Sequence, residues 1–141
     1  MNIAFDMDGT ITDLYGVENW LDMIKKENAR PYEIAKPIGN MQVIARLLHK
    51  AQKQGHKVGI ISWTARGGSA SYNKKVSEAK QKWLSAHLSS VKFDFIHIVE
   101  YGTPKHTLSD GILFDDEKPN RDIWGNGAYQ PQDIVKVLKS L

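Results

Sequence analysis

The chain predicts an α/β fold, a parallel sheet of about five strands with helices on both faces. Two patterns carry that expectation. Short apolar runs of strand length alternate with longer segments whose apolar residues recur every three or four positions, the rhythm that builds parallel sheets through right-handed crossovers. The strands also end on polar residues: Asp6 and Asp8 after the first, Ser62 and Thr64 after the second, Asp115 and Asp116 after the fourth. In such sheets the carboxyl ends share one edge, and ligands bind beyond it.

The elements follow in order. Residues 2–7 form an apolar strand, and helical patterns run over about 17–28 and 40–54, the first with Val17, Trp20, Leu21 and Ile24 on one face. A second strand covers 57–62. Gly67-Gly68 turns the chain, Ser69 is placed to cap a helix, and Tyr72, Val76, Ala79, Trp83 and Ala86 follow at three-or-four spacing. Phe95-Ile96-His97-Ile98-Val99 reads as a third strand, Gly111-Ile112-Leu113-Phe114 as a fourth and Gly127-Ala128-Tyr129 as a fifth. Pro131 then opens a closing helix that carries Ile134, Val135 and Leu138. Neither an internal repeat nor a low-complexity segment is present.

Composition narrows the classes. With 141 residues the chain suits a single domain over 1–141, with a core of its own. No stretch approaches the roughly 20 apolar residues that span a bilayer, and Asp6 and Asp8 interrupt the first run where a signal peptide would stay apolar. A cytoplasmic protein with no membrane partner is the expectation. The absence of cysteine excludes disulfides, thiolate metal sites and a cysteine nucleophile, leaving carboxylate oxygens as ligands for a hard cation, magnesium before zinc. The net charge of +3 is mild and the lysines are dispersed, which suits a solvated surface with room for a basic rim that attracts an anionic substrate.

The acid pair poses an electrostatic problem. Side chains two apart on a strand share a face, so Asp6 and Asp8 can project together as the chain opens into the Gly9 turn. At roughly 4 Å and an effective dielectric of about 20, two carboxylates repel by on the order of 4 kcal/mol. A cation or a shared proton must relieve this. With a hydroxyl and Lys105 from the loop Tyr101-Gly102-Thr103-Pro104-Lys105 after the third strand, such a cluster suits phosphoryl transfer. Asp6 would attack phosphorus, and Asp8 would protonate the leaving oxygen and then activate water. Asp6, the backbone carbonyl of Asp8 and Asp115 would ligate Mg2+, with Asp116 supporting them.

The run ending in Asp6-x-Asp8-Gly9-Thr10 resembles the first motif of the haloacid dehalogenase-like (HAD) superfamily. Val58-Gly59-Ile60-Ile61-Ser62 resembles the second motif, Lys105 the third and Ile112-Leu113-Phe114-Asp115-Asp116 the acidic fourth, in order over residues 2–116. The resemblance implies a three-layer Rossmann-like fold with a minimal cap insertion at about 14–40, and Mg2+-dependent phosphohydrolysis through an aspartyl-phosphate. It places Thr10, Ser62, Trp63 and Lys105 at the substrate phosphate. An acid at position 8 is what the superfamily's phosphatases carry, whereas its dehalogenases lack it and its phosphonatases replace it.

Within the superfamily the chain looks most similar to compact 5'-nucleotidase or 5'(3')-deoxyribonucleotidase-like members, with Ile61-Ser62-Trp63 and Tyr101–Lys105 among the resembling segments. A small phosphorylated substrate, a nucleoside monophosphate, is the leading expectation. A polynucleotide 3'-phosphatase acting on nucleic-acid ends is the alternative, and a phosphate-binding or scaffolding protein without turnover is the alternative of another class. The hydroxyl is open between Ser62, which ends the strand, and Thr64, which precedes Ala65-Arg66; Ser62 is preferred. Trp63 can pack in the core or stack on a base, Arg66 can bind a phosphate or solvent, and His106 is the one histidine placed near substrate. The segment Arg30-Pro31-Tyr32 through Pro37-Ile38-Gly39 reads as a loop.

Overall fold

The computed structural model describes every residue from Met1 to Leu141. In chain order the elements are β1 (Asn2–Phe5), β2 (Thr12–Asp13), α1 (Trp20–Lys25), α2 (Arg30–Ile34), β3 (Lys36–Pro37), α3 (Met41–Lys53), β4 (Lys57–Trp63), α4 (Ala70–His87), β5 (Phe95–Val99), β6 (Ile112–Phe114), α5 (Lys118–Trp124), β7 (Ala128–Tyr129) and α6 (Ile134–Lys139). One-turn 3-10 helices lie at Leu14–Gly16, Lys105–Thr107 and Pro131–Asp133.

Five strands form a parallel sheet in the order β5-β4-β1-β6-β7. This is the expected α/β architecture, Rossmann-like, with β1 central: Phe5 lies opposite Ile60 on one side and Phe114 on the other. Alternation along the strands sorts the core. Ile3, Phe5, Val58, Ile60, Ile112 and Phe114 pack with Ile44, Leu48 and Ala51 of α3, Trp83 and Leu84 of α4, and Ile134 and Leu138 of α6. The thinner opposite face, Ala4, Ile61 and Leu113, is covered by Leu108 and by Trp124 of α5. The order of strands changes direction at β1, where one crossover leads to β4 and the chain returns on the far side to β6; that crevice is where doubly wound sheets bind ligands.

Three local expectations need correction. The first helical pattern is short, Trp20–Lys25, because Asn19 enters it in the left-handed region and Glu27 leaves it there, at φ 61° and 57°. The stretch read as a loop contains α2 and β3, the latter pairing antiparallel with β2. Pro31, whose ring is favourable in a helix's first turn, was the local sign of α2, but five residues are too few to show a period. In α4 the stripe continues through Leu84 and on to Leu88 just past the helix's end, while Ala86 faces outward. No helix is long and apolar enough to cross a membrane.

Candidate active site

The strand ends converge. After β1 the ladder persists one residue, Asp6 N donating to Phe114 O at 2.9 Å, and Thr64 N and Asp115 N are held by Val99 O and Tyr129 O in the same way. The chain then coils tightly: the amides of Thr10, Ile11 and Thr12 all donate to Met7 O, at 2.9 to 3.0 Å. Gly9 makes this turn at φ +81°, and a Cβ there would strike the Asp116 carboxylate.

That turn separates the two aspartates. Asp6 stays at the sheet edge, where Lys105 Nζ lies 2.8 Å from its Oδ1 and 2.8 Å from Asp115 Oδ2. Asp8 swings toward α4, where Lys80 Nζ donates to its Oδ2 at 2.8 Å. The repulsion expected between the two acids is thus met by a separate ammonium for each. Both acids line one cavity of about 440 Å³, a volume suited to a small organic ligand.

Three carboxylates form a second group. Asp6, Asp115 and Asp116 can each place an oxygen within 4.8 Å of the others'. Burial, then the charge of Asp6, push Asp116 up to about 8, and the same two causes raise Asp115, opposed by Lys105. Burial works against the Lys105 ammonium, yet Asp6 and Asp115 outweigh it and hold the lysine above its ordinary value. If all three acids are ionised, three negative charges face one positive one, and two remain uncompensated. An all-oxygen donor set with that surplus fits a hard divalent cation. Asp115 is fixed by Lys105, by Asn120 Nδ2 at 3.1 Å and by Glu117 N at 2.9 Å.

The remaining expected residues divide. Thr10 is fully buried behind the acids and outside the cavity; its hydroxyl lies 3.1 Å from Asp6 Oδ2 and 3.3 Å from Asp116 Oδ1, and accepts from Asp116 N at 3.2 Å. It braces these carboxylates and presents no surface to the cavity. Ser62 is likewise fully buried and outside the cavity, its Oγ accepting from Lys80 at 2.7 Å, whereas Thr64 lines the wall. Of the two hydroxyl residues between which the sequence leaves the choice open, it is Thr64, and not the preferred Ser62, that lines the cavity. Trp63 lines the cavity with its Nε1 donating to Thr103 O at 2.8 Å and the Lys105 ammonium 5.2 Å from its ring centroid. Arg66 also lines it, 5.9 Å above the Tyr101 ring, and exposed His106 does not.

Lys80, Asn120 and most of the aromatic wall are not among the residues expected from the sequence. Tyr15 and Trp20 from the 14–40 insertion meet edge to face at 5.0 Å, and Trp63 and Tyr101 do so at 4.9 Å; both pairs line the cavity. The insertion also supplies Leu21, Ile24 and Tyr32, so it is a full wall of the cavity and more than a connecting loop. A sign of Lys80 was present: it sits four residues after Val76 and three before Trp83, on the buried stripe.

No protein-family model matches the sequence, and comparison with curated proteins gives no match. Among solved structures, the chain is similar to D,D-heptose 1,7-bisphosphate phosphatase from Burkholderia thailandensis, at a TM-score of 0.57 and 10% identity, over 99% of this chain and 96% of that one. At that identity the likeness establishes the shared fold.

Proposed function

We propose that this chain is a phosphomonoesterase of the HAD-like superfamily that cleaves a nucleoside monophosphate through an aspartyl-phosphate on Asp6. The observation that carries this reading is the placement of Asp6 and Asp8 on one cavity, each with its own buried lysine. A carboxylate oxygen of Asp6 attacks phosphorus; the P–O bond to the leaving group breaks, and that oxygen takes a proton from Asp8. The Asp8 carboxylate then removes a proton from water as it attacks the phosphoenzyme, releasing inorganic phosphate and restoring both acids. Lys105 holds the nucleophile and faces the phosphoryl oxygens, and Thr64 donates to one of them. Asp6, Asp115 and Asp116 are the residues to hold Mg2+, which when bound would offset charge on the phosphoryl group.

The flat aromatic walls support a nucleoside as the leaving group. Tyr15, Trp20, Trp63 and Tyr101 offer ring faces and edges beside the acids, and Arg66 and Lys25 add positive charge to the lining. A panel of 5'- and 3'-mononucleotides, sugar phosphates and 3'-phosphorylated oligonucleotides, assayed for phosphate release with Mg2+, tests the reading. Mononucleotides should be the best substrates, and Asp6→Asn and Asp8→Asn should each lower turnover by at least about 100-fold while the fold survives. Exclusive cleavage of 3'-phosphorylated oligonucleotides would replace the nucleotide with a nucleic-acid end. Turnover persisting in Asp6→Asn would remove the covalent step.

A further inference from the structure

We propose that Lys80 is a positioning residue for the acid/base step, an inference that rests on the phosphatase reading and adds a second lysine to it. Lys80 lies on α4 within the buried stripe of Val76, Ala79, Trp83 and Leu84, and is 1% exposed. An apolar side chain would fill that stripe without the cost of desolvating an ammonium. The three protons of Lys80 are all committed: to Asp8 Oδ2 at 2.8 Å, to Ser62 Oγ at 2.7 Å and to Trp63 O at 2.7 Å. The Tyr32 ring closes the site 5.2 Å from Nζ.

Two of these acceptors belong to β4 and one is the acid that lines the cavity. Ser62 and Trp63 O therefore fix the ammonium to the sheet, and the ammonium fixes Asp8 to it. Lys80 does not line the cavity, so it acts on substrate only through Asp8. With Oδ2 held, Oδ1 is the oxygen left for proton transfer; its partner is Thr12 Oγ1, at a longer 3.3 Å. The two lysines thus divide the work. Lys105 at the front holds the nucleophile, and Lys80 at the back sets the rotamer of the group that delivers and later removes the proton.

The experiment compares kcat/KM for 4-nitrophenyl phosphate, whose leaving group departs without a proton, with that for a nucleoside 5'-monophosphate, whose alkoxide must be protonated. Lys80→Met and Lys80→Gln, checked for folding by circular dichroism, should lose at least about 10-fold more on the nucleotide than on the aryl ester, as Asp8→Asn should. In the Asp8→Asn background, Lys80→Met should cause no further loss. The chain has no cysteine, so Lys80→Cys alkylated with 2-bromoethylamine in denaturant and refolded restores an ammonium at this one position and should recover the nucleotide rate. Equal losses on the two esters, a further drop in the double variant, or unfolding of both neutral variants would overturn the role of Lys80 while leaving the phosphatase reading intact. A wild-type chain that cleaves neither ester would instead overturn both.

Discussion

Ser62 and Thr64 lie two apart on the same face of the strand end, yet they do different work. Ser62 is sealed against Lys80, and Thr64 reaches the cavity one pleat further along. Thr64→Val keeps the shape of the side chain and removes its donor, so kcat/KM for phosphate release should fall on the order of 100-fold, the usual loss when one oxyanion donor is deleted. Ser62→Ala should stay within about 10-fold of wild type, since Lys80 keeps Asp8 and Trp63 O as acceptors. Steady-state kinetics on one mononucleotide decides between them; the reverse ranking would return the role to Ser62. The acids at 6, 8, 115 and 116 were legible in the sequence because a strand's carboxyl end is a place that spacing alone locates. Lys80 was not, because a helical stripe is found by counting apolar residues and a lysine in it is passed over. Its meaning depends on Asp8, 72 positions away in the chain.

Among the elements, the main sheet and the long helices were readable because their periods are sustained, as over the 13 residues of α3 and the 18 of α4. The insertion was read poorly because α1 and α2 have 6 and 5 residues, and tertiary contacts hold them in place of periodicity. Tyr72 of α4 donates to Asn28 O at 3.0 Å, and Trp83 Nε1 donates to Ala35 O at 2.8 Å. Ahead of both, Glu27 accepts from Ser69 N at 2.8 Å and from Ser69 Oγ at 2.9 Å, joining the end of α1 to the start of α4. The backbone hydrogen bond from Ser69, followed by the one from its hydroxyl, holds the Glu27 carboxyl below its ordinary value. A depressed folded value means stability that is present above the unfolded glutamate's range and lost as pH falls through the folded one. Glu27→Gln should therefore lower Tm most at neutral pH, with the gap to wild type closing as the medium is acidified below pH ~4. Thermal melts across pH check this, and a gap independent of pH would show that the carboxylate's charge plays no part in the latch.

At the scale of the molecule, the parallel sheet gathers charge at one edge that the fold alone does not balance. When all three are ionised, Asp6, Asp115 and Asp116 set three negative charges against the one of Lys105, and the buried position of Asp115 leaves water little part in screening them. Folding assembles this cluster from acids that repel one another less in the unfolded chain, so a divalent cation that binds only the assembled set must stabilise the native state. At about 100-fold excess over its dissociation constant the gain is about 2.7 kcal/mol, which at roughly 2–4 °C per kcal/mol for a chain of this size raises Tm by on the order of 5–10 °C. The control is NaCl at matched ionic strength, which screens exposed charges and should give little of that rise. Asp116→Asn removes a carboxyl whose raised value means that folding at neutral pH must either protonate it or set it against Asp6, and it removes one oxygen of the cluster: it should raise the metal-free Tm and flatten the response to MgCl2. This readout needs no substrate and no turnover. A melting temperature that follows ionic strength alone, identical in MgCl2 and NaCl and in both chains, would show that the three acids hold no cation and that Lys105 with a retained proton balances them instead.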